Sequence, residues 1–344
     1  AGPGARRPAS VAGSAATSAR PWEDLHRMPL SRRPLLAVLP LLAASRAGPA
    51  QTQVPPSGDA APWPARPVRI VVAYPPGGST DLLARALAER LAAAIPGAAF
   101  VVENRPGGAA VVGTQAVAGA APDGTTLALG NNQTHAANAA MIRDLPYRPV
   151  EDFAAIGRLA EVHHALVVPA NAPARTLSEL VARGRDGGSL TYASSGVGSA
   201  SHVIAESLVK REGLAATHVP YRGGAQATTD TVSGVVDFFV STWPQVVQLV
   251  QDGRLRALGI GAPRRLAELP DLPTFAEAGA PYMAVDAWFG LFAPARTPGA
   301  VIERLSAALP PILAAPDMVA RLRGMGFAPA PMPAAEFAAF QRAE

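Results

Sequence analysis

The chain has 344 residues, of which 49% are hydrophobic and 16% charged, so it is long enough for two lobes with substantial cores. It contains no cysteine, which excludes disulfides, thiolate chemistry, cysteine-ligated metals and a lipid-anchored cysteine. The formal charge of +4 does not indicate a nucleic-acid ligand, because residues 1–50 carry seven arginines against two acidic residues. The remainder holds 23 basic and 24 acidic residues and no dense basic stripe.

Residues 28–50 have the pattern of a secretory signal peptide. Met28 is followed by Arg32 and Arg33, by an apolar run over residues 35–44 and by small residues before position 51. The run is too short for a permanent membrane span, so we expect an exported mature protein. The paired arginines also fit a twin-arginine signal, and the pattern leaves both export routes open. Residues 1–27 are polar and aperiodic, and we interpret them as translation read upstream of a start at Met28.

The first regular unit is a strand, a glycine turn and a helix. Residues 68–73 are a β-rich apolar run, residues 74–81 form the turn, and apolar residues then recur at helical spacing, with Ser79 or Thr80 placed to cap the helix. Free backbone N–H groups at a helix start favour an anion. A phosphate loop needs lysine directly after its last glycine, where this chain has Ser79, so a carboxylate fits better. A tight turn without a ligand is the alternative.

A second and a third unit follow. Residues 190–193 and the turn 194–202 repeat the first unit more than 100 residues later, which predicts one anion cradle per lobe, each facing one end of a ligand. The unit around residues 100–108 lacks the glycine spacing of a dinucleotide site, and we interpret it as a structural turn in which Glu103 and Arg105 form an ion pair. Between the units, a predicted strand ends at residues 131–135, whose polar side chains either line the cleft or cap the next helix.

These motifs together resemble the solute-binding proteins of tripartite tricarboxylate transporters, the Bug or TctC-like family, over residues 66–340. The resemblance implies an α/β fold with a two-lobed architecture like that of type II periplasmic binding proteins. Each lobe would be a central β-sheet flanked by helices, and the ligand cleft would lie between the lobes. The segments that carry the resemblance, in the family's order and spacing, are residues 74–81, 103–108, 134–135, 194–202 and 217–227, followed by Asp230, Gly234, Val236 and Asp237.

The resemblance also implies a division of the chain. One lobe would comprise residues 66–168 and 289–344, and the other residues 169–288. The two connections between them would lie near residues 166–169 and 288–291. Thr176 and Glu179 have the spacing of a capping box, which predicts the start of the first helix of the second lobe.

In this family the glycine and serine loops act as pincers on a ligand carboxylate, partly through ordered water. Carried onto this chain, the pincers are residues 76–81 and 194–199, with residues 221–224 as a third wall. Arg222 is the only cation in these segments, and it either takes the distal charge of a dicarboxylate or pairs with an acidic neighbour. The predicted ligand-binding residues are Tyr74, Pro76, Gly77, Gly78, Ser79, Asp81, Asn132, Thr134, His135, Ser194, Ser195, Gly198, Ser199, His202, Tyr221, Arg222 and Gly223.

The resemblance therefore implies a periplasmic, monomeric receptor that captures a small carboxylate and docks transiently to TctA/TctB-like membrane subunits, without a cofactor or metal. The ligand would be a di- or tricarboxylate, an amino acid or an aromatic carboxylate. Pro76 and Val112 depart from the family pattern and bear on ligand identity. A sensory receptor that presents its ligand to a membrane signalling protein would use the same fold.

An enzyme is the other class of function that we considered. Ser199, Ser201, His202 and His218 are the residue types of a hydrolytic triad, but the chain lacks the G-x-S-x-G motif, so we expect no enzyme. His202 is instead predicted to cap or pack at a helix start. Adjacent histidines at residues 163–164 would point to opposite sides of a strand, and this argues against a metal site.

Overall fold

The computed structural model describes residues 63–285 and 287–344. The predicted leader, residues 1–50, lies outside this range. In the part of the chain that is described, no helix has the length and apolar character needed to cross a bilayer. The strands are β1 (Val68–Val72), β2 (Phe100–Asn104), β3 (Thr126–Asn131), β4 (Phe153–Val162), β5 (His164–Pro169), β6 (Leu190–Ser194), β7 (Ala216–Pro220), β8 (Phe238–Thr242), β9 (Leu255–Ile260), β10 (Ala287–Pro294) and β11 (Ala328–Pro333).

Helices occupy most of the connections between these strands. The α-helices are α1 (Ser79–Ala94), α2 (Val111–Ala118), α3 (Asn138–Met141), α4 (Leu177–Arg185), α5 (Ala200–Glu212), α6 (Gly224–Val232), α7 (Trp243–Gln251), α8 (Gly299–Ala314), α9 (Pro316–Gly324) and α10 (Ala334–Ala343). A π-helical segment spans Gln133–Ala137, and a 3-10 turn spans Pro281–Met283.

The first sheet has six strands in the order β11-β4-β10-β3-β1-β2. β1 pairs in parallel with β2 and β3, since α1 and α2 provide the crossovers that parallel strands need. β10 is antiparallel to both β3 and β4. The apolar stripe of α1, including Leu83, Leu87 and Leu91, packs with α8 on one face of the sheet. Val117 of α2 and Phe337 of α10 pack on the other face, and we call this sheet with its helices the first lobe.

The second sheet has five strands in the order β7-β6-β8-β5-β9. β6 is parallel to β7 and β8, whereas β5 is antiparallel to β8 and β9. Leu180 of α4 and Leu208 of α5 are buried on one face, and Val246 of α7 is buried on the other. This sheet with its helices is the second lobe, so the predicted two-lobed α/β fold is confirmed.

The chain changes sheet slightly before the two predicted connections. β4 ends at Val162 and β5 begins at His164, which already pairs with Thr242 of the second sheet. The return occurs before β10, in which Trp288 pairs with Glu161 of the first sheet. Residues 166–169 and 288–291 therefore lie inside strands, because antiparallel pairing extends both strands up to the connection.

Two local predictions are confirmed and one is wrong. The predicted N-cap at Thr176 is present, because its Oγ1 accepts a hydrogen bond of 3.1 Å from the backbone N–H of Glu179, while Glu179 Oε2 accepts the N–H of Arg175. The predicted ion pair between Arg105 and Glu103 is present at 2.5 Å. The prediction that Ser79 or Thr80 caps α1 is wrong. The N-cap is Gly78, which has an extended conformation and no side chain to form a capping hydrogen bond. Ser79 is the first helical residue, which leaves its hydroxyl available to the other lobe.

Candidate ligand-binding cleft

The loop between β1 and α1 is held by a buried carboxylate. The Oδ2 of Asp81 accepts the backbone N–H of Gly77 at 3.0 Å, and Gly77 has a φ of 83°, which favours glycine. Arg85 and Asn104 donate to the same carboxylate. Burial opposes ionisation of Asp81, but the hydrogen bonds from Arg85, Gly77 and Asn104 outweigh it and lower its pKa. Asp81 therefore fixes the loop at the start of α1 as a charged structural group.

The matching loop between β6 and α5 is tied together by serine hydroxyls. Ser199 is the N-cap of α5, and its Oγ accepts the backbone N–H of His202 at 3.2 Å and donates to the carbonyl of Gly196 at 2.7 Å. The backbone N–H of Ser195 donates to Ser201 Oγ at 2.9 Å. The loop thus places several hydroxyls and the N-terminus of α5 at one end of the second sheet.

A cavity of about 70 Å³ lies between the two loops and receives side chains from both lobes. None of its described lining residues carries a formal charge, so its polar atoms are hydroxyls, amides, one imidazole and backbone groups. We call it the inner cavity. It is lined by Tyr74, Pro75, Gly78, Ser79, Thr80, Asn131, Asn132, Gln133, His164, Ser195, Ser199, Ala200, Ser201, Gly224, Thr242, Gln245, Ala287 and Phe289.

Tyr74 joins a small polar network at one side of the inner cavity. Its hydroxyl donates to Gln133 Oε1 at 2.9 Å and accepts from Asn131 Nδ2 at 2.9 Å. Burial raises the pKa of Tyr74, so the phenol remains protonated. The network orients three neutral groups without introducing a charge.

His164 is the histidine on the wall of the inner cavity, at the first position of β5. It is only 2% exposed, and its Nδ1 has no hydrogen-bond partner among the described residues. Burial lowers its pKa to about 4, with nearby His163 adding to the effect and the backbone of Val285 opposing it. The imidazole is therefore neutral at physiological pH.

The two lobes touch directly across the inner cavity. Thr242 Oγ1, in the second lobe, donates to Ser79 Oγ, in the first lobe, at 3.1 Å. Gly223 lies so close to Pro75 that a Cβ at position 223 would approach Pro75 Cδ to 2.6 Å. These contacts define a closed arrangement of the lobes.

A second cavity of about 500 Å³ continues outward from the first and shares Tyr74, Gln133 and Ser195 with it. We call it the outer cavity. Arg222 lies on its wall and forms no hydrogen bond or ion pair with any described residue. Its remaining lining residues are Pro106, Gly107, Gly108, Ala109, Ala110, Gly196, Val197, Pro220 and Tyr221.

Comparison with known proteins identifies the family to which the chain belongs. Residues 83–344 match the family described as the tripartite tricarboxylate transporter family receptor, TctC. This chain belongs to that receptor family. A relative of the receptor is BugT of Bordetella pertussis, which is 34% identical over 274 residues, covering 79% of this chain and 82% of BugT.

Two solved structures of similar proteins hold carboxylates. The R. palustris protein Rpa4515 with adipate has a TM-score of 0.78 and 31% identity, covering 82% of this receptor and 94% of that chain. MatC from Rhodopseudomonas palustris with bound malate has a TM-score of 0.73 and 34% identity, covering 77% of this receptor and 90% of that chain. The receptor therefore shares its fold with proteins that hold carboxylates, and its family is one of receptors rather than of enzymes.

Only part of the predicted binding set of the receptor lies on the cleft surface. The predicted residues that line the inner cavity are Tyr74, Gly78, Ser79, Asn132, Ser195 and Ser199. Tyr221 and Arg222 line the outer cavity, which Tyr74 and Ser195 also reach. Contact of these residues with a ligand stays a prediction.

The other predicted residues support the cleft from behind or lie outside it. His135 stacks on Phe292 with ring centroids 3.8 Å apart, and Thr134 Oγ1 is 2.8 Å from His135 Nδ1. Ser194 is fully buried against His218, on which His202 stacks. The remaining predicted residues belong to the loops but line neither cavity. They are Pro76, Gly77, Asp81, Gly198 and Gly223.

Several lining residues were missed by the sequence reasoning. Thr242 is the last residue of β8 and Gln245 lies in the first turn of α7, and the proline in that turn was an available signal for a helix start after a strand. Asn131 and Gln133 lie in the polar segment that was predicted either to line the cleft or to cap the next helix. Asn131 Oδ1 accepts the backbone N–H of Thr134 at 3.1 Å, as a helix cap does. Side chains at residues 131–133 line the cavity, whereas residues 134–135 pack beneath it.

Ser194, His202 and His218 are near one another, but they form packing contacts inside the second lobe. Ser194 Oγ lies 2.7 Å from His218 Nε2, but Ser194 is fully buried and lines neither cavity. The predicted packing role of His202 is confirmed, because it stacks on His218 and its Nδ1 accepts the N–H of Gly198 at 3.2 Å. Within the described ranges, no group of histidine and acidic side chains is placed to hold a metal ion.

Proposed function

We propose that this receptor is exported, captures a small carboxylate by closing its two lobes, and delivers it to the membrane subunits of a tripartite transporter. The observation that supports the proposal is the inner cavity, which lies between the lobes and is lined by hydroxyls, amides and helix starts from both of them. Backbone N–H groups at the starts of α1 and α5 are the donors that a carboxylate accepts from. The adipate and malate complexes of the two similar proteins support the same ligand class.

The clamp on the proximal carboxylate is neutral. Donors in the inner cavity are fixed by the Asp81 and Ser199 hydrogen bonds described above, so the ligand meets a preorganised site. Selectivity then depends on shape and on hydrogen bonds more than on net charge. The residues that we propose as direct or water-mediated contacts are Tyr74, Gly78, Ser79, Asn132, Ser195 and Ser199.

A second charge on the ligand would reach the outer cavity. Arg222 lines it as an unpaired cation, which supports a dicarboxylate whose distal group extends from the inner to the outer cavity. We propose that the lobes move as units comprising residues 66–162 with 287–344, and residues 164–285. The connections before β5 and β10 would act as the hinge.

A thermal-shift screen tests the proposal. A ligand that binds only the folded receptor at about 100 times its Kd stabilises it by about 2.7 kcal/mol, which corresponds to a rise of several degrees in Tm. We expect at least one mono- or dicarboxylate to produce this rise, and the matched neutral amide to produce none. The proposal fails if no carboxylate stabilises the protein while an ester or amide is hydrolysed.

A further inference from the structure

His202 holds the loop at residues 194–199 from behind. This loop supplies Ser195 and Ser199 to the inner cavity. The Nδ1 of His202 accepts the backbone N–H of Gly198 at 3.2 Å, and Gly198 has a φ of 79°, which favours glycine. An imidazole nitrogen accepts a hydrogen bond only while it carries no proton, so this bond requires neutral His202 with its proton on Nε2. Protonation of His202 therefore releases the N–H of Gly198.

Gly198 is also a point where the first lobe meets this loop. A Cβ at position 198 would lie 2.9 Å from Cε of Met141, the last residue of α3. The position of the loop therefore bears both on the inner cavity and on the closed arrangement of the lobes. His202 is not among the described residues that line either cavity, so it acts on a ligand through Gly198 and the loop.

A second imidazole stacks on His202 and limits how many protons the two rings take up. The ring centroids of His202 and His218 are 4.2 Å apart, and their planes differ by 18°. The Nε2 of His218 lies 2.7 Å from Ser194 Oγ, which accepts the backbone N–H of Gly196. Both rings thus support the same loop. Two protonated rings at this separation would repel each other, so the pair takes up one proton well before a second.

The charged and titratable groups that act on this pair, among the described residues, are Glu206 and Lys210 of α5 and Tyr192 of β6. Tyr192 stacks on His218 with ring centroids 4.9 Å apart, and its hydroxyl donates to Glu206. Lys210 Nζ lies 3.2 Å from the same carboxylate. Partial burial lowers the pKa of His202 and of His218, and Glu206 offsets this only in part. The pair is therefore neutral at about pH 8 and takes up its first proton below about pH 6.5.

We propose that His202 is a positioning residue that couples ligand binding to proton release. Its neutral ring holds Gly198 and the loop in the ligand-binding arrangement, and its protonation weakens binding. This inference rests on the proposed function and adds a pH dependence to it, whichever carboxylate the receptor takes. A cation near a carboxylate site would by itself strengthen binding. The sign of the pH dependence therefore separates loss of the Gly198 hydrogen bond from electrostatic attraction.

An NMR pH titration of the ligand-free receptor tests the first step. Between about pH 8 and about pH 5, the ring protons of His202 and the amide of Gly198 should shift with the same midpoint, because protonation breaks the bond between them. The inference is overturned if the Gly198 amide does not follow the titration of His202, or if His202 takes up no proton above about pH 5. This measurement needs neither a ligand nor a variant.

Calorimetric titration with malate and with adipate tests the second step. His202→Asn places a neutral amide oxygen near the position of Nδ1, so it keeps an acceptor for Gly198 and does not titrate. The Kd of the unaltered receptor should equal that of His202→Asn within about twofold at about pH 8 and exceed it about 3- to 10-fold at about pH 5. Ionisation of the ligand cancels, since both proteins meet the same ligand at each pH. Val203→Asn, at the adjacent exposed position of α5, is the control and should follow the unaltered receptor.

Two calorimetric results overturn the inference. One is a ratio of the two Kd values that stays constant with pH, and the other is tighter binding by the unaltered receptor than by His202→Asn at about pH 5. If His202→Asn does not fold, calorimetry of the unaltered receptor in buffers of different ionisation enthalpy replaces it. Binding near the midpoint should then release up to about one proton, and release of none contradicts the inference. Absence of binding by both carboxylates at about pH 8 would count against the proposed function, whereas the NMR titration would still decide whether His202 holds Gly198.

Discussion

Thr242 and Ser79 join the two lobes through a hydrogen bond of 3.1 Å between their hydroxyls. Ser79 is available for it because α1 is capped by Gly78, so the serine hydroxyl is not used at its own helix terminus. Thr242 is the last residue of β8 and precedes α7. The closed cleft is therefore stabilised where a strand end of one lobe meets a helix start of the other.

Removal of this bond should weaken ligand binding without unfolding the receptor. Thr242→Val keeps the shape of the side chain and removes the hydroxyl, so the closed state loses about 0.5–1.5 kcal/mol and Kd rises roughly 2- to 10-fold. The measurement is calorimetric titration with the best carboxylate from the thermal screen. Thr229→Val, at an exposed position of α6, is the control and should leave Kd unchanged. An unchanged Kd for Thr242→Val would show that the bond does not contribute to closure.

Gly223→Ala should block closure by steric contact. A Cβ at this position would lie 2.6 Å from Pro75 Cδ in the closed arrangement, whereas the backbone of Gly223, with φ of 173°, accepts any residue. We expect Kd to rise by about tenfold or more and Tm without ligand to change little. Gly299→Ala, where an added Cβ meets no atom within 4 Å, is the matched control. Small-angle scattering should show compaction by ligand in the control and not in Gly223→Ala, and equal compaction in both would contradict the prediction.

The cleft residues that could be predicted from the sequence are those whose positions depend on neighbouring residues in the chain. Gly78, Ser79, Ser195 and Ser199 lie where a strand leads through a loop into a helix, and apolar runs and glycines alone predict such a transition. The capping box at Thr176 was readable for the same reason. Local patterns therefore identified both loops that face the inner cavity.

The remainder depends on contacts that no local pattern encodes. His164 and Thr242 are 78 positions apart and become neighbours only through the pairing of β5 with β8. His135 was predicted at the ligand, but the π-helical turn directs it onto Phe292 in the core. Asp81 was also placed at the ligand, yet Arg85 and Asn104 hold its carboxylate. In each case a tertiary partner decided the orientation.

Arg222 should discriminate dicarboxylates from monocarboxylates. Arg222→Gln removes the unpaired cation from the outer cavity, so dicarboxylates should bind about 3- to 10-fold more weakly, whereas monocarboxylates of equal length should change less than twofold. Because Arg222 is exposed, the difference should shrink at high salt. Arg264→Gln, an exposed position outside both cavities, is the control. Equal weakening of both ligand classes by Arg222→Gln would point to a structural role for the arginine.

Acidification from pH 7.5 to 5 should destabilise the receptor through its buried histidines. Burial lowers the pKa of His135 to about 3 and that of His164 to about 4, so the folded state binds fewer protons than the unfolded state once pH falls below about 6.5. The contribution of the two neutral histidines to the free energy of unfolding is therefore fully present above about pH 6.5. It decreases as pH falls, with a slope approaching about 1.4 kcal/mol per pH unit for each histidine. Urea unfolding at several pH values measures how the free energy of unfolding depends on pH. His135→Leu should reduce this slope by up to the contribution of one histidine, about 1.4 kcal/mol per pH unit. Phe153→Leu, beside His135 in the same core, should lower stability without changing the slope, and an unchanged slope in His135→Leu would contradict the assignment.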